Sequence, residues 1–115
     1  MSAAKGHTKG WRENVKLIEA VIKPVKLKEV KAALQTIGIV DIMESTLICR
    51  DRQKGETRFY RRGAKYVAIF VEKVKLEIIA ADESVGKIIE VIGTIAKTER
   101  KEDCRIYILP FVAAL

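Results

Sequence analysis

The spacing of apolar residues predicts two helices. In the first, over residues 27–39, they recur every three or four positions, and Gly38 stands where the helix would end. Its apolar positions are Leu27, Val30, Leu34 and Ile37. The second helix is predicted over residues 82–97, where Asp82 could cap the first turn. Its apolar stripe comprises Val85, Ile88, Ile89, Ile92, Ile95 and Ala96.

Four other apolar segments have the length and composition of β-strands. They are Lys16–Lys23, Ile42–Arg50, Tyr66–Ala80 and Arg105–Val112. Pro24 would stop the first, and Pro110 would place the last at a sheet edge or a bulge, because proline cannot donate a hydrogen bond to a neighbouring strand. The order is therefore β-α-β-β-α-β. Two β-α-β units that share one antiparallel sheet make an α+β, ferredoxin-like sandwich.

The third predicted strand is apolar on both of its faces. One row is Tyr66, Ala68, Phe70, Val74, Leu76 and Ile78, and the opposite row contains Val67, Ile69, Val71 and Ile79. A single layer of two helices covers only one face of a four-stranded sheet. The second apolar face therefore predicts oligomerisation through the open side of the sheet, with scattered surface hydrophobic residues as the alternative.

The positive charge of the chain is concentrated between the second and third strands. The 115 residues carry a formal net charge of +7, and residues 50–65 hold seven basic and two acidic side chains. The rest of the chain is therefore close to neutral, which favours one docking segment over a continuous basic surface. Basic residues interleaved with aromatic ones also suit single-stranded nucleic acid, so a nucleic-acid-binding module is a less favoured alternative.

Composition and length point to a single soluble domain, with a hydrophobic fraction of 49% and a charged fraction of 32%. No apolar run reaches the ~20 residues that span a bilayer, and the first residues lack an apolar secretory core. A cytoplasmic protein without membrane insertion is therefore expected. Residues 1–15 are predicted to form a flexible tail and residues 16–115 one domain. The only histidine is His7, in that tail, so no catalytic constellation can be built and no enzyme activity is expected.

Three stretches of the chain resemble a known family. They are KLIEAVIKPVKLKEVKAAL (16–34), RQKGETRFYRRGAKYV (52–67) and EKVKLEII (72–79). They resemble the PII signal-transduction proteins. The resemblance implies a homotrimer of ferredoxin-like subunits, with a T-loop at about 49–65 and a B-loop at about 98–105. It also implies that an adenine nucleotide (AMP, ADP or ATP) binds between neighbouring subunits, with 2-oxoglutarate held alongside through magnesium.

The resemblance also implies roles for individual side chains. Arg52 would meet phosphate, Gln53 would bind magnesium and Lys73 would pair with a carboxylate of 2-oxoglutarate. The implied effector residues are Arg52, Gln53, Lys54, Lys73, Thr98, Asp103 and Arg105. Docking to a target protein is implied for Arg58, Phe59, Tyr60, Arg61, Arg62 and Tyr66. Some family members are uridylylated at the position of Tyr66.

The chain departs from the family at glycines of the phosphate-binding loops. Glu99, Glu102 and Cys104 replace the B-loop glycines, and Cys49 and Asp51 replace those at the base of the T-loop. Glycines let backbone N–H groups approach a phosphate, whereas carboxylates repel it. We therefore expect weakened or altered sensing of adenine nucleotide and 2-oxoglutarate. The expected function is a non-enzymatic regulator of a transporter or metabolic enzyme, with an AMP, ADP or bicarbonate sensor of the divergent PII-like branch as the alternative.

Aligned with the family, Cys49 and Cys104 fall at glycines that face the phosphates, one in each loop. The resemblance therefore implies that the two thiols could be neighbours within a subunit. They could be unrelated small residues, a reversible disulfide, or two ligands of a thiophilic metal in a redox- or metal-responsive regulator. Nearby arginines would lower the pKa of the thiols and favour reactivity; these are Arg50, Arg52 and Arg105.

Overall fold

A computed structural model describes residues 12–54 and 66–113 of the chain. Its strands and helices are β1 (Arg12–Ile22), α1 (Leu27–Thr36), β2 (Ile42–Lys54), β3 (Tyr66–Ala81), α2 (Val85–Ala96) and β4 (Cys104–Ala113). Short 3₁₀ turns precede α1, α2 and β4, at Pro24–Lys26, Asp82–Ser84 and Lys101–Asp103. The order of the elements and the α+β, ferredoxin-like class confirm the prediction from the sequence.

The four strands form one antiparallel sheet in the order β2-β3-β1-β4. At its centre, Ile18 of β1 lies between Ile78 of β3 and Ile108 of β4. β4 is an edge strand, as Pro110 predicts. In the described part of the chain, neither helix has the length and hydropathy needed to span a bilayer.

Both helices pack on one face of the sheet, against the even-numbered residues of β1 and β3. The sheet contributes Ile18, Ala20, Ile22, Val74, Leu76, Ile78 and Ala80 to the core. α1 adds Val30 and Leu34, and α2 adds Ile88, Ile92 and Ala96. Burial of each large aliphatic side chain contributes about 1.5–3 kcal/mol, so this interface between helices and sheet is what stabilises the subunit.

β1 is longer than the composition of its segment predicts. It begins at Arg12, four residues before the predicted start, so residues 12–15 belong to the sheet rather than to the N-terminal tail. Arg12 pairs with Ala113 of β4, and the register shifts before Val15. Asn14, within this shift, has a positive φ of 62°. Pairing with β4 therefore extends β1 beyond its apolar residues.

β2 also continues beyond its predicted end, to Lys54, so residues 50–54 lie in a strand and not in a loop. Lys54 pairs with Tyr66, and Val74 is the first β3 residue that pairs with β1 as well. Residues 47–54 and 66–73 therefore form a two-stranded extension, which we call the β2–β3 ribbon. Along the strand, Tyr66 lies roughly 26 Å beyond Val74.

The end of α1 follows the prediction made from Gly38. This glycine has φ of 89°, and its N–H donates to the carbonyl oxygen of Gln35 at 2.9 Å. The N–H of Ile39 donates to the carbonyl oxygen of Leu34, also at 2.9 Å. The two bonds make a Schellman motif, which satisfies carbonyls at the helix end and requires the left-handed backbone that glycine adopts at low cost.

Asp82 does not cap α2, contrary to the prediction. It begins a 3₁₀ turn, and no side chain caps the helix, whose N-cap residue is Ser84. Asp82 Oδ1 instead accepts a hydrogen bond from Lys16 Nζ at 2.7 Å. Its carboxylate therefore ties the segment after β3 to β1.

Candidate functional site

The B-loop, residues 98–105, is held in shape by a hydrogen bond between two of the predicted site residues. Thr98 Oγ1 donates to Asp103 Oδ2 at 2.5 Å and accepts from the N–H of Arg100 at 3.1 Å. The N–H of Asp103 donates to the carbonyl oxygen of Arg100, also at 3.1 Å. These bonds close the loop into a turn that leads directly into β4.

Two lysines approach this turn from neighbouring strands. Lys73 Nζ, on β3, donates to the carbonyl oxygen of Glu102 at 2.7 Å. Lys23 Nζ, just after β1, lies 3.8 Å from Asp103 Oδ2. Asp103 is buried, with 7% of its surface exposed. The structure thus gathers a polar group at one end of the sheet, which we call the B-loop cluster: Thr98, Asp103, Lys23 and Lys73.

The carboxyl group of Asp103 is stabilised in its charged form. The hydrogen bond from Thr98 lowers the pKa of Asp103 from its ordinary value, and burial opposes that shift. Positive charges add to the lowering, from Lys23, Arg100 and Lys73. Asp103 is therefore an anion at neutral pH, and the positive charges of nearby side chains compensate its negative charge.

The B-loop already supplies acceptors to the cations in and around it. Lys73 is bonded to the Glu102 carbonyl, and Arg100 Nε lies 3.7 Å from Glu102 Oε1. A phosphate group binds where N–H groups and cations converge on an anion from outside. In this loop, an incoming phosphate would compete with the carboxylates of Asp103 and Glu102 for the same cations.

Four of the seven predicted effector residues are not members of the B-loop cluster. Arg105 is exposed on β4, where it pairs with Val21. The other three, Arg52, Gln53 and Lys54, are at the far end of the β2–β3 ribbon. Arg52 pairs with Ala68, which is five residues or roughly 17 Å along the strand from Lys73. One subunit therefore brings together only Thr98, Asp103 and Lys73 of the predicted set.

Five of the predicted docking residues, Arg58, Phe59, Tyr60, Arg61 and Arg62, lie outside the described residues. The sixth, Tyr66, is the first residue of β3 and pairs with Lys54. The described residues that flank this segment, Lys54 and Tyr66, are therefore paired with each other at the ends of β2 and β3.

The two cysteines are not neighbours within a subunit, contrary to the interpretation from the family alignment. Cys49 lies on β2 and Cys104 on β4, at opposite edges of the sheet. Three interstrand spacings, roughly 14 Å, separate these edges, and a disulfide needs Cα atoms within about 7 Å. Cys49 and Cys104 of the same subunit therefore cannot form a disulfide or share a metal ion.

The environment of Cys104 also differs from the expectation. Burial raises the pKa of the Cys104 thiol above its ordinary value, and the charge of Lys97 offsets this only in part. The described residues contain no group of three or more His, Cys, Asp and Glu side chains that could hold a metal ion. Within this part of one chain, the thiol is a partly buried packing residue rather than an activated nucleophile.

The odd-numbered residues of the strands form the sheet face that α1 and α2 leave uncovered, which we call the open face. One half of it is apolar, with Val15, Leu17, Met43, Ile79, Leu109 and Phe111. Met43 and Ile79 are 56% and 46% exposed. Beside this half run an acidic row, Glu19 and Glu77, and a basic row, Lys75 and Arg105. The second apolar face predicted from β3 is therefore present.

Lys23 is the residue of the cluster that sequence reasoning missed. It follows β1 directly, and Ile22, its neighbour, pairs with Cys104 at the start of β4. An antiparallel β1–β4 pair places the residue after Ile22 opposite the residue before Cys104, which is Asp103. Once the strand order is known, this opposition of a lysine and an aspartate could be read from the sequence.

Comparison with known proteins gives consistent matches along most of the chain. A family model described as "Nitrogen regulatory protein P-II" matches residues 15–114. A protein of that name from Rhizobium meliloti (strain 1021) is 47% identical over 94 residues, covering 82% of this chain and 83% of the relative. Another, from Cereibacter sphaeroides, is 43% identical over 101 residues, covering 88% and 89%.

A solved structure extends the likeness to three dimensions. The structure of B. subtilis GlnK matches with a TM-score of 0.66 and 26% sequence identity, over 84% of each chain. The chain therefore belongs to the nitrogen regulatory protein P-II family of non-enzymatic signal-transduction regulators.

Proposed function

We propose that this chain is a trimeric regulator that controls a target protein, a membrane transporter or a metabolic enzyme, through the basic segment between β2 and β3. The β2–β3 ribbon carries this proposal, because it supports that segment beyond the rest of the subunit. The joining residues 55–65 contain four basic and one acidic side chain. A paired support presents such a segment to a partner at lower entropic cost than an unpaired loop of the same length.

The open face supports the trimeric part of the proposal. Proteins of the P-II family are trimeric, and an uncovered apolar sheet face of this size favours association. The acidic row of Glu19 and Glu77 lies next to the basic row of Lys75 and Arg105. Opposite charges of two subunits can therefore pair beside the apolar contact. Three ribbons on one trimer would raise avidity for a target with matching symmetry.

The distribution of the effector residues supports a nucleotide site between subunits. Within one chain, Arg52 and Gln53 are remote from Thr98 and Asp103 along the ribbon. A site that uses both sets needs the ribbon of one subunit beside the B-loop of the next. This supports an intersubunit cleft for adenine nucleotide, the ligand class of the family.

Nucleotide sensing is altered in this proposal, because the B-loop does not fit a triphosphate well. Lys73 would have to leave the carbonyl oxygen of Glu102 before it could bind an effector carboxylate. Glu99 and Glu102 add negative charge where the phosphates would lie, and like charges in this setting cost about one to several kcal/mol. Weak binding of ATP, and with it of 2-oxoglutarate through magnesium, follows from these two features.

A shortened variant tests the docking role, at a position that the strand register defines. Replacing residues 55–65 by Asn-Gly joins Lys54 to Tyr66 through a two-residue hairpin turn and keeps every ribbon pair. A matched variant keeps the length but carries glutamine at Arg58, Arg61 and Arg62. Quantitative affinity purification from the source cells should recover a transporter or enzyme with the intact chain and lose it with both variants. A target that binds the shortened variant equally well would contradict the proposal.

Isothermal titration calorimetry tests the sensing part separately. AMP, ADP and ATP are titrated with and without magnesium, and the series is repeated with 2-oxoglutarate and with bicarbonate. We expect ATP to bind no more tightly than AMP or ADP, because each added phosphate meets the carboxylates of Glu99 and Glu102. Tight magnesium-dependent binding of ATP together with 2-oxoglutarate would overturn altered sensing and leave the docking role intact.

A further inference from the structure

An exposed apolar row lies on β4, on the side of the sheet that carries the helices. Ile108 pairs with the buried Ile18 of β1, and Pro110 and Val112 follow it on the same side by parity. Ile108 is 46% exposed and Val112 is 54% exposed, and Pro110 is exposed as well. We call these three residues the β4 row. Both helices pack on this side of the sheet but leave the β4 row uncovered.

An apolar row of this kind on an edge strand calls for a cover. In the described part of one subunit, β4 pairs with β1 alone. Exposed apolar edges promote aggregation, and natural proteins prevent this by placing another segment over the edge. Ile106, which precedes the row on the same side, already packs against the core. The uncovered part is therefore the end of β4 that lies beside the start of β1.

We propose that the N-terminal segment, residues 1–11, folds against the β4 row of its own subunit, with Trp11 as the side chain that covers it. The segment lies outside the described residues, but the point at which the chain enters them is known, because Arg12 pairs with Ala113. Paired residues share a face, and successive residues of a strand alternate between faces. One further pair would therefore place Trp11 on the side of Val112, at a diagonal distance of ~7–8 Å that an aromatic side chain spans.

Charge favours this segment as the occupant. It contains two lysines and no acidic residue. Beside the β4 row, Lys16 of β1 donates a hydrogen bond to Asp82 at 2.7 Å, so these two charges compensate each other. Glu83, exposed in the same 3₁₀ turn as Asp82, adds a further negative charge. Lys9 precedes Trp11 by two residues, so docking of Trp11 brings this lysine to the acidic turn.

The charges farther along α2 confine the segment to this end of β4. Lys87 and Glu90 form an ion pair at 3.5 Å and add no net charge. Beyond them, a groove between α2 and the start of β4 has three basic side chains and one acidic side chain in its lining. These are Lys97, Arg100, Lys101 and Glu99. A basic segment is repelled from such a groove, so the β4 row is the apolar surface that fits it.

Fluorescence of Trp11 tests the contact directly, because it is the only tryptophan of the chain. In the folded protein its emission should lie at shorter wavelength than in the urea-unfolded chain, and acrylamide should quench it severalfold less. Ile108→Lys and Val112→Lys place a charge in the β4 row and should shift the emission to that of an exposed indole. The matched control is Val40→Lys, at a position 66% exposed just before β2, at the opposite edge of the sheet. It should leave the emission unchanged.

The three replaced side chains are exposed, so the variants should keep the core of the subunit intact. Circular dichroism checks that each variant folds before its fluorescence is compared with that of the wild type. Loss of the Trp11 signal in a folded Ile108→Lys or Val112→Lys protein then reports on the contact and not on unfolding.

Salt dependence tests the contribution of charge. Salt screens the attraction between the basic segment and the acidic turn, so quenching by neutral acrylamide should increase with salt in the wild type. In Glu83→Lys, repulsion replaces attraction, so quenching should be strongest at low salt and fall as salt is added. Glu29→Lys makes the same change at an exposed position of α1 and should behave as the wild type does.

The outcomes decide between this occupant and others. An indole as exposed in the folded wild type as in urea overturns the docking of the segment. A protected indole that neither Ile108→Lys nor Val112→Lys releases shows that Trp11 lies on another surface, and also overturns it. Protection that disappears when the protein is diluted to single subunits assigns the contact to a neighbouring subunit and overturns docking within one chain. None of these results bears on the target-docking role of the segment between β2 and β3.

Discussion

At the scale of single residues, the B-loop shows how a phosphate-loop position can be filled without glycine. None of residues 98–105 has a positive φ. The turn is closed by side chains instead, through the hydrogen bond of Thr98 with Asp103 and the bond from the N–H of Arg100 to Thr98. The glycines that the family resemblance leads one to expect are therefore unnecessary for the shape of this loop. The absence of these glycines affects how closely a phosphate can approach the backbone N–H groups, and not how the loop folds.

Asp103→Asn tests the charge in this turn. The native pKa of Asp103 is lowered from the ordinary 3.8, so ionisation stabilises the fold above that pH, and the stabilisation is lost as pH falls through the native pKa. Asparagine keeps the acceptor for Thr98 but removes the charge near Lys23. We expect a loss of about 1 kcal/mol in the free energy of unfolding at neutral pH.

Urea unfolding of the two proteins at neutral pH and near pH 3 measures this difference, which should shrink on acidification. A Thr98→Val variant is the control for the hydrogen bond without a change in charge. A gap between wild type and Asp103→Asn that stays constant with pH would show that the carboxylate charge contributes nothing.

Cys104 gives a second prediction at this scale. Burial raises the pKa of its thiol, so in a Cys49→Ser background its alkylation by iodoacetamide should be slow at neutral pH and still rise with pH near the ordinary value of 9.0. Lys97→Gln should slow the reaction at a given pH, because the lysine charge favours the thiolate. Rapid alkylation at neutral pH, with a plateau there, would identify an activated thiol instead.

At the scale of elements, glycines in different backbone conformations predict opposite effects of the same substitution. Gly38 ends α1 at φ of 89°, whereas Gly86 lies within α2. Neither position has an atom within 4 Å of an added Cβ, so packing does not contribute to either change. Gly38→Ala should destabilise by about 1 kcal/mol, and Gly86→Ala should stabilise by up to about 1 kcal/mol.

Thermal and urea unfolding of the two variants against the wild type provide the measurement. Two shifts of the same sign would show that backbone conformation does not dominate at these sites.

The sequence predicted the type and order of every helix and strand, because apolar periodicity specifies them. The sequence did not predict where β1 begins and β2 ends, because pairing with neighbouring strands determines these positions. Arg12 and the run from Arg50 to Lys54 are charged and polar, yet both continue strands because β4 and β3 supply hydrogen-bonding partners. Asp82 is a residue type that often caps helices. In this structure it begins a 3₁₀ turn, and its carboxylate accepts a hydrogen bond from Lys16 instead.

Of the residues in the B-loop cluster, the family resemblance named Thr98, Asp103 and Lys73 but not Lys23. Thr98 and Asp103 are five residues apart within the B-loop, to which the family resemblance assigned both, and the structure joins them by a hydrogen bond. Proximity of Cys49 and Cys104 was inferred from the family alignment, but strand order places them at opposite edges of the sheet. An alignment assigns residues to loops, and only the topology tells which loops meet.

At the scale of the whole molecule, the open face contributes to assembly and not to the folding of a subunit. The core is complete with two helices on one side of the sheet, so a subunit can fold without covering Leu109, Ile79 or Met43. Apolar residues that the fold does not need indicate a use in association. The charged rows beside them restrict the orientations in which two such faces can meet.

A charge placed in the apolar half of the open face should therefore break assembly and spare folding. Leu109→Arg on β4 puts a cation beside Leu17, its partner on β1. The matched control is Val112→Arg, which is on the same strand, 54% exposed and on the other face by parity. Sedimentation equilibrium should give a single subunit for Leu109→Arg and the wild-type mass for Val112→Arg, while urea unfolding of the two variants stays similar. If Leu109→Arg assembled normally, the open face would have no part in the trimer, and the apolar residues there would be surface residues without a partner.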